Sequence, residues 1–84
     1  MRPADLTAVE IADQLHAAYQ EDRRLAPPGP DVEERLALAD YLGCHEAARV
    51  EAWEAWQTVL ELEGHDIEDA EYWLDVEFAL PCPE

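Results

Sequence analysis

The sequence predicts an all-α protein, a small bundle of three to four helices with an extended C-terminal tail. Three observations lead there. Hydrophobic residues make up 49% of the 84 residues, and Ala and Leu dominate them, which favours helix over strand. Apolar residues recur at helical spacing in successive segments, three of which open on Thr or Asp, the residue types that cap helix starts. Between the segments stand a proline cluster and single glycines, which end helices. A chain of this length is expected to form one domain (residues 1–84) with a modest core, burying about 60–65% of the surface it exposes when unfolded.

The first helix is expected from Thr7 to Asp22, within residues 1–25. Thr7 with Glu10 makes a capping-box pattern, and Asp5 adds negative charge near the helix start. Ala8, Ile11, Ala12, Leu15, Ala18 and Tyr19 form one apolar face, with Glu10, Asp13, Gln14 and Glu21 opposite. Arg23 and Arg24 stand at the C-terminal end, where cations complement the helix dipole. Residues 26–30, Ala-Pro-Pro-Gly-Pro, then form a stiff connector that no helix can cross.

Residues 31–84 form the acidic helical part. Asp31 and Glu34 repeat the capping pattern for a second helix to Leu42, with Val32, Leu36, Ala39 and Leu42 inward and Gly43 as its stop. A third helix runs from Glu46 to Glu63 and is stopped by Gly64. Its broad apolar face is Ala48, Ala52, Trp53, Trp56, Val59 and Leu60. Glu51, Glu54, Thr58 and Glu61 line the other side, with the three carboxylates about 4.5 and 10.5 Å apart along the axis. Asp66 and Asp69 can cap a fourth helix with Ile67, Ala70, Trp73, Leu74 and Phe78 at helical spacing. Leu74, Val76, Phe78 and Leu80 also alternate as a strand would, but a lone strand has no partner in this chain. Helix is therefore the reading for 67–77, followed by an extended tail through Pro81-Cys82-Pro83-Glu84.

Charge is the unusual feature. Twenty-one acids against five bases give a net charge of −16, with no Lys at all. Residues 1–30 hold three bases and five acids, a net −2, whereas residues 31–84 hold two bases and sixteen acids, a net −14. Solubility of a small domain needs a charge of only about 2–8. Such an excess opposes binding to nucleic acid and anionic membranes and steers the chain toward basic surfaces. No run of 18 apolar residues exists to span a membrane, and Asp13 interrupts any apolar signal region. A cytoplasmic location is expected, with Cys44 and Cys82 as free thiols.

Catalytic and metal chemistries find little support. No Ser-His-Asp spacing, phosphate-binding glycine loop or helical metalloprotease motif is present. Cys44 and His45 are adjacent, but adjacent residues need not face each other. Cys44, His45, His65 and Cys82 hold the right atoms for zinc but lack the close ligand pairs of structural zinc sites. No enzyme activity, cofactor or metal is expected. The segment Leu38-Ala39-Asp40-Tyr41-Leu42-Gly43-Cys44, followed by Ala47, Ala48 and Val50, resembles the first helix and turn of a helix-turn-helix. It departs from that motif at Arg49, where an aliphatic residue is usual. Glu46, Glu51 and Glu54 would also meet phosphates on the reading helix. A packing hairpin is the better reading.

What remains is a helical surface of one sign. Salt-bridged surfaces alternate sign, and this one does not. Fixed carboxylates on helices can imitate the charge of a nucleic acid and occupy an Arg/Lys-lined channel. The expected function is therefore an inhibitor that binds a basic, nucleic-acid-binding protein, in the manner of phage-type anti-CRISPR or anti-restriction proteins. The alternative is a neutralising partner or chaperone of one cognate basic protein, as immunity proteins and antitoxins are. A subunit of a larger assembly is a third possibility. The candidate partner-binding residues are Glu51, Glu54, Glu61, Glu68, Asp69, Glu71 and Asp75, with Trp73 as an aromatic anchor. Trp53 and Trp56 are assigned to the core, and Tyr41, Tyr72 and Trp73 to partly exposed positions.

Overall fold

A computed structural model of the protein describes residues 5–24 and 31–78. Helix α1 (Ala8–Asp22) opens on the full capping box: the Thr7 hydroxyl accepts from the Glu10 N–H, and the Glu10 carboxylate accepts from the Thr7 N–H. At its far end Arg23 closes the last turn, and Arg24 turns the chain in the left-handed region at φ 57°. The connector at 26–30 and the tail at 79–84 lie outside the described residues.

Helix α2 (Val32–Cys44) is capped by the Asp31 carboxylate, which accepts from the Glu34 N–H. Two expectations fail here. Gly43 does not stop the helix; it stays helical, and His45 alone joins α2 to α3. The inward face is Leu38, Ala39 and Leu42, while Val32 and Leu36 are exposed. The helix carries apolar residues on two sides, so periodicity alone does not choose between them. Leu36 lies about 160° around the helix from Leu38. Arg35, one turn before Leu38, pairs with Asp22 of α1 and holds that side of α2 toward the rest of the molecule.

Helix α3 (Glu46–Glu63) ends as expected at Gly64, whose φ of 77° suits a residue without Cβ. Helix α4 (Ile67–Phe78) settles the helix-or-strand ambiguity for residues 72–78 in favour of helix. The Asp66 carboxylate accepts from the Glu68 and Asp69 N–H groups and so caps it.

The four helices enclose one core. It is built from Ile11, Leu15 and Tyr19 of α1, Leu38 and Leu42 of α2, Trp56 and Leu60 of α3, and Leu74 of α4. Helix α1 packs most extensively on α3, and α2 packs on both α3 and α4. Ala12 and Ala18 on α1 and Ala52 on α3 are buried, small side chains that allow close approach. Each large apolar side chain removed from water contributes about 1.5–3 kcal/mol. Trp56 is completely buried and Trp53 packs beside it, as the sequence led one to expect.

Candidate functional site

The outer faces of α3 and α4 carry the candidate acids. On α3 the core takes Ala52, Trp56 and Leu60, so Glu51, Glu54, Thr58 and Glu61 face solvent. On α4 the core takes Ala70 and Leu74, and Glu68, Glu71, Tyr72, Asp75 and Val76 are exposed. This follows from helix geometry, because residues 68, 71, 72, 75 and 76 share the side opposite 70 and 74.

The eight candidates divide into two groups. The carboxylates of Glu51, Glu54, Glu61, Glu68 and Glu71 have no hydrogen bond or ion pair among the described residues. The other three make contacts within the fold, although Asp75 stays exposed. Asp69 accepts from the Tyr19 hydroxyl at 2.7 Å and pairs with Arg23 at 2.8 Å, tying α4 to the end of α1. Asp75 pairs with Arg49 at 2.5 Å, tying α4 to α3. Trp73 is half-buried, packs edge-on against Tyr19 and Trp56, and donates its indole N–H to Asp22 at 2.9 Å.

The arginines decide which carboxylates are left uncompensated. Arg23 joins α1 to α4, Arg35 joins α2 to α1 at 2.8 Å, and Arg49 joins α3 to α4. Each cation bridges two helices, and of their partners only Asp75 stands on the outer face of α4. These pairs are partly exposed, so each stabilises by about 0–1 kcal/mol. Their consequence lies mainly in where the remaining carboxylates stand.

Burial and a carboxylate neighbour also act on Tyr19. Desolvation of its ring raises the phenol pKa above the ordinary value, and its hydrogen bond to Asp69 raises it further.

A second polar cluster lies at the α1–α3 seam. His16 is 9% exposed, its Nδ1 accepts from the Trp56 indole N–H at 3.1 Å, and its Nε2 opposes the Glu63 carboxylate. His65 meets the His16 ring edge-on at 5.5 Å. Ligand atoms of His16, Glu63 and His65 lie within 4.8 Å of one another, a set that suits a divalent metal by donor type. The hydrogen bonding argues otherwise. A neutral imidazole that gives its Nε2 lone pair to a metal carries its proton on Nδ1. That proton would face the Trp56 N–H, a group with no acceptor capacity. Nδ1 as acceptor instead leaves the proton on Nε2, which lies beside the Glu63 carboxylate without a hydrogen bond among the described residues. The cluster is built as a structural lock between helices.

The helix-turn-helix resemblance stops at the same level. A single residue separates α2 from α3, and Glu46, Glu51 and Glu54 are all exposed on the second helix. Arg49 is held by Asp75. Among the described residues no helix is long and apolar enough to cross a membrane.

The contact of His16 with Trp56 and the exposure of Val76 are not evident in the sequence. His16 was legible as core-facing, since it lies four residues after Ala12 and three before Tyr19 on the apolar stripe. Its partner, forty residues away, was not. Tyr72 is exposed as expected, at 71%, and the 60% exposure of Val76 beside it follows from the helical spacing of α4 once its inner face is known. Compared with known protein families, curated proteins and solved structures, the chain matches none.

Proposed function

We propose that this protein is an acidic binding inhibitor. It imitates the charge of a nucleic acid and occupies the Arg/Lys-lined site of a basic, nucleic-acid-binding protein. The observation that carries this reading is the division of charge. Three arginines are drawn into pairs between helices. Glu51, Glu54, Glu61, Glu68 and Glu71 stand outward on helices α3 and α4 without cationic partners among the described residues. Duplex DNA carries a charge about every 1.7 Å of its axis. A helical array of carboxylates need only approximate that density to be drawn into the same channel. The protein acts by contact, with no catalysis, in the cytoplasm. Phage-type anti-defence proteins, aimed at CRISPR or restriction systems, are the functional class of this kind.

A second reading is a neutralising partner of one cognate basic protein. The exposed Tyr72 and Val76 favour it, because charge imitation needs no apolar contact. The test is capture from nuclease-treated host lysate at low salt, identification of the bound protein, and reconstitution from purified components. Charge imitation predicts a basic nucleic-acid-binding protein. It also predicts that the Glu51→Gln, Glu54→Gln, Glu61→Gln triple variant binds it at least tenfold more weakly, about 1.4 kcal/mol. A partner that binds the triple variant as well as the parent, and ignores added DNA and RNA, would contradict it.

A further inference from the structure

Helix α4 presents two different faces. Ala70 and Leu74 are buried inward, and outward stands a continuous stripe of Glu68, Glu71, Tyr72, Asp75 and Val76. Five residues spaced i, i+3, i+4, i+7 and i+8 run about 12 Å along one side of the helix. Within the stripe a ring and a branched apolar side chain sit one turn apart, 71% and 60% exposed. Glu68 and Glu71 lie beside them without cationic partners among the described residues, while Asp75 is held by Arg49. On α3 the exposed Val50 and Leu62 stand about 18 Å apart along the axis, too far to act as one contact. On α4 apolar and acidic groups converge on a single patch.

We infer that the outer face of α4 is a docking surface for a basic amphipathic helix of the partner. The partner's apolar residues would pack on Tyr72 and Val76, and its Lys or Arg side chains would reach Glu68 and Glu71. Charge selects this occupant. A second copy of the chain would bring another net charge of −16 against the first. A nucleic acid or an anionic membrane is repelled for the same reason. A simple polycation satisfies the carboxylates but leaves Tyr72 and Val76 without contacts. A helix that carries cations and apolar groups at matching spacing meets both. Tyrosine is also among the residues that anchor interfaces, and such contacts survive salt that screens exposed charge. The inference rests on the proposed basic partner and identifies one element of that partner's surface.

The test uses two synthetic peptides of equal length and charge. One is a Lys/Leu helix with its leucines on one face, and the other has every Leu replaced by Gln. Binding to the full chain is measured by calorimetry at about 0.02 and about 0.15 M salt. The amphipathic peptide should bind more tightly and keep measurable affinity at the higher salt. The double variant Tyr72→Ser, Val76→Ser should weaken it about tenfold and leave the Lys/Gln peptide unaffected. The variant Glu68→Gln, Glu71→Gln should weaken both peptides. All four positions are solvent-facing, and circular dichroism checks that the variants keep the parent's helix content. Equal binding of the two peptides, unchanged by the Tyr72 and Val76 substitutions, would overturn the inference while leaving a basic partner in place. Failure of both peptides to bind at the lower salt would overturn the basic-partner reading and this inference with it.

Discussion

At the scale of single residues, the buried contacts of His16 and Tyr19 hold the helices in register. Trp56 donates to His16 across the α1–α3 seam, and Tyr19 donates to Asp69 across the α1–α4 seam. Replacing Trp56 with Phe keeps a ring in the core but leaves His16 Nδ1 without its donor. Lost hydrogen bonding and lost volume together should cost about 2 kcal/mol in urea unfolding. The parent's Tm should not move when zinc is added. In Trp56→Phe, His16 Nδ1 becomes free to carry the proton, and zinc should raise the Tm. The Tyr19 phenol is the group with a pH signature. Its pKa in the folded protein lies above the ordinary value because burial and Asp69 both disfavour the phenolate. Its contribution to stability is therefore complete below about pH 10 and is lost as pH rises through the folded value. Denaturant unfolding between neutral pH and about pH 11 should show this loss, and Tyr19→Phe should show a smaller one. Had the loss been as large without the hydroxyl, the phenol would not be its cause. The sequence placed Tyr19 and Trp56 in the core by spacing alone. It did not reveal which polar atoms they would reach, because those partners lie forty and fifty residues away.

At the scale of helices, local chemistry set the boundaries. The Thr7–Glu10 box, the Asp31 cap and Gly64 were readable because each acts within four residues of itself. Gly64→Ala tests this directly. Nothing lies within 4 Å of the position an added Cβ would take, so the variant meets no clash. The cost is conformational alone, at a φ of 77°, and should be about 1 kcal/mol in chemical denaturation. An unchanged midpoint would show that the left-handed turn is not needed to end α3. Helix α2 is less legible, for a physical reason. Val32, Leu36, Leu38 and Leu42 supply two apolar stripes, and only the pairing of Arg35 with Asp22 on another helix marks Leu38 as inward. Glycine often ends a helix, yet the neighbours of Gly43 keep α2 going to Cys44. For α4 the alternating pattern of residues 74–80 competed with the helical one. The Asp66 cap and the burial of Ala70 and Leu74 one turn apart accompany the helical solution.

Across the whole molecule, charge is the dominant fact. A net charge of −16 on a small domain stores repulsion that the arginine pairs only partly offset. Screening that repulsion should make the fold more stable as salt rises, by about 1 kcal/mol between about 0.01 and 1 M, or about 4–8 °C in Tm. A Tm that fell with salt would mean that attractive pairs outweigh repulsion. The acidity of residues 31–84 was plain in the sequence. Its division into tethered and outward carboxylates was not, because it depends on which acids Arg23, Arg35 and Arg49 reach across helices. In sequence Asp69 and Asp75 are indistinguishable from Glu68 and Glu71, and their contacts with Arg23 and Arg49 set them apart. The central claim is that the outward carboxylates take the place of nucleic acid on a basic partner. Its most direct measurement is nucleic-acid binding by the purified, captured partner at increasing concentrations of this protein. Charge imitation predicts competition: the apparent Kd for DNA or RNA rises in proportion to added protein, and the effect shrinks steeply with salt. A partner that binds this protein and its nucleic acid at once, with unchanged affinity for each, would contradict the claim.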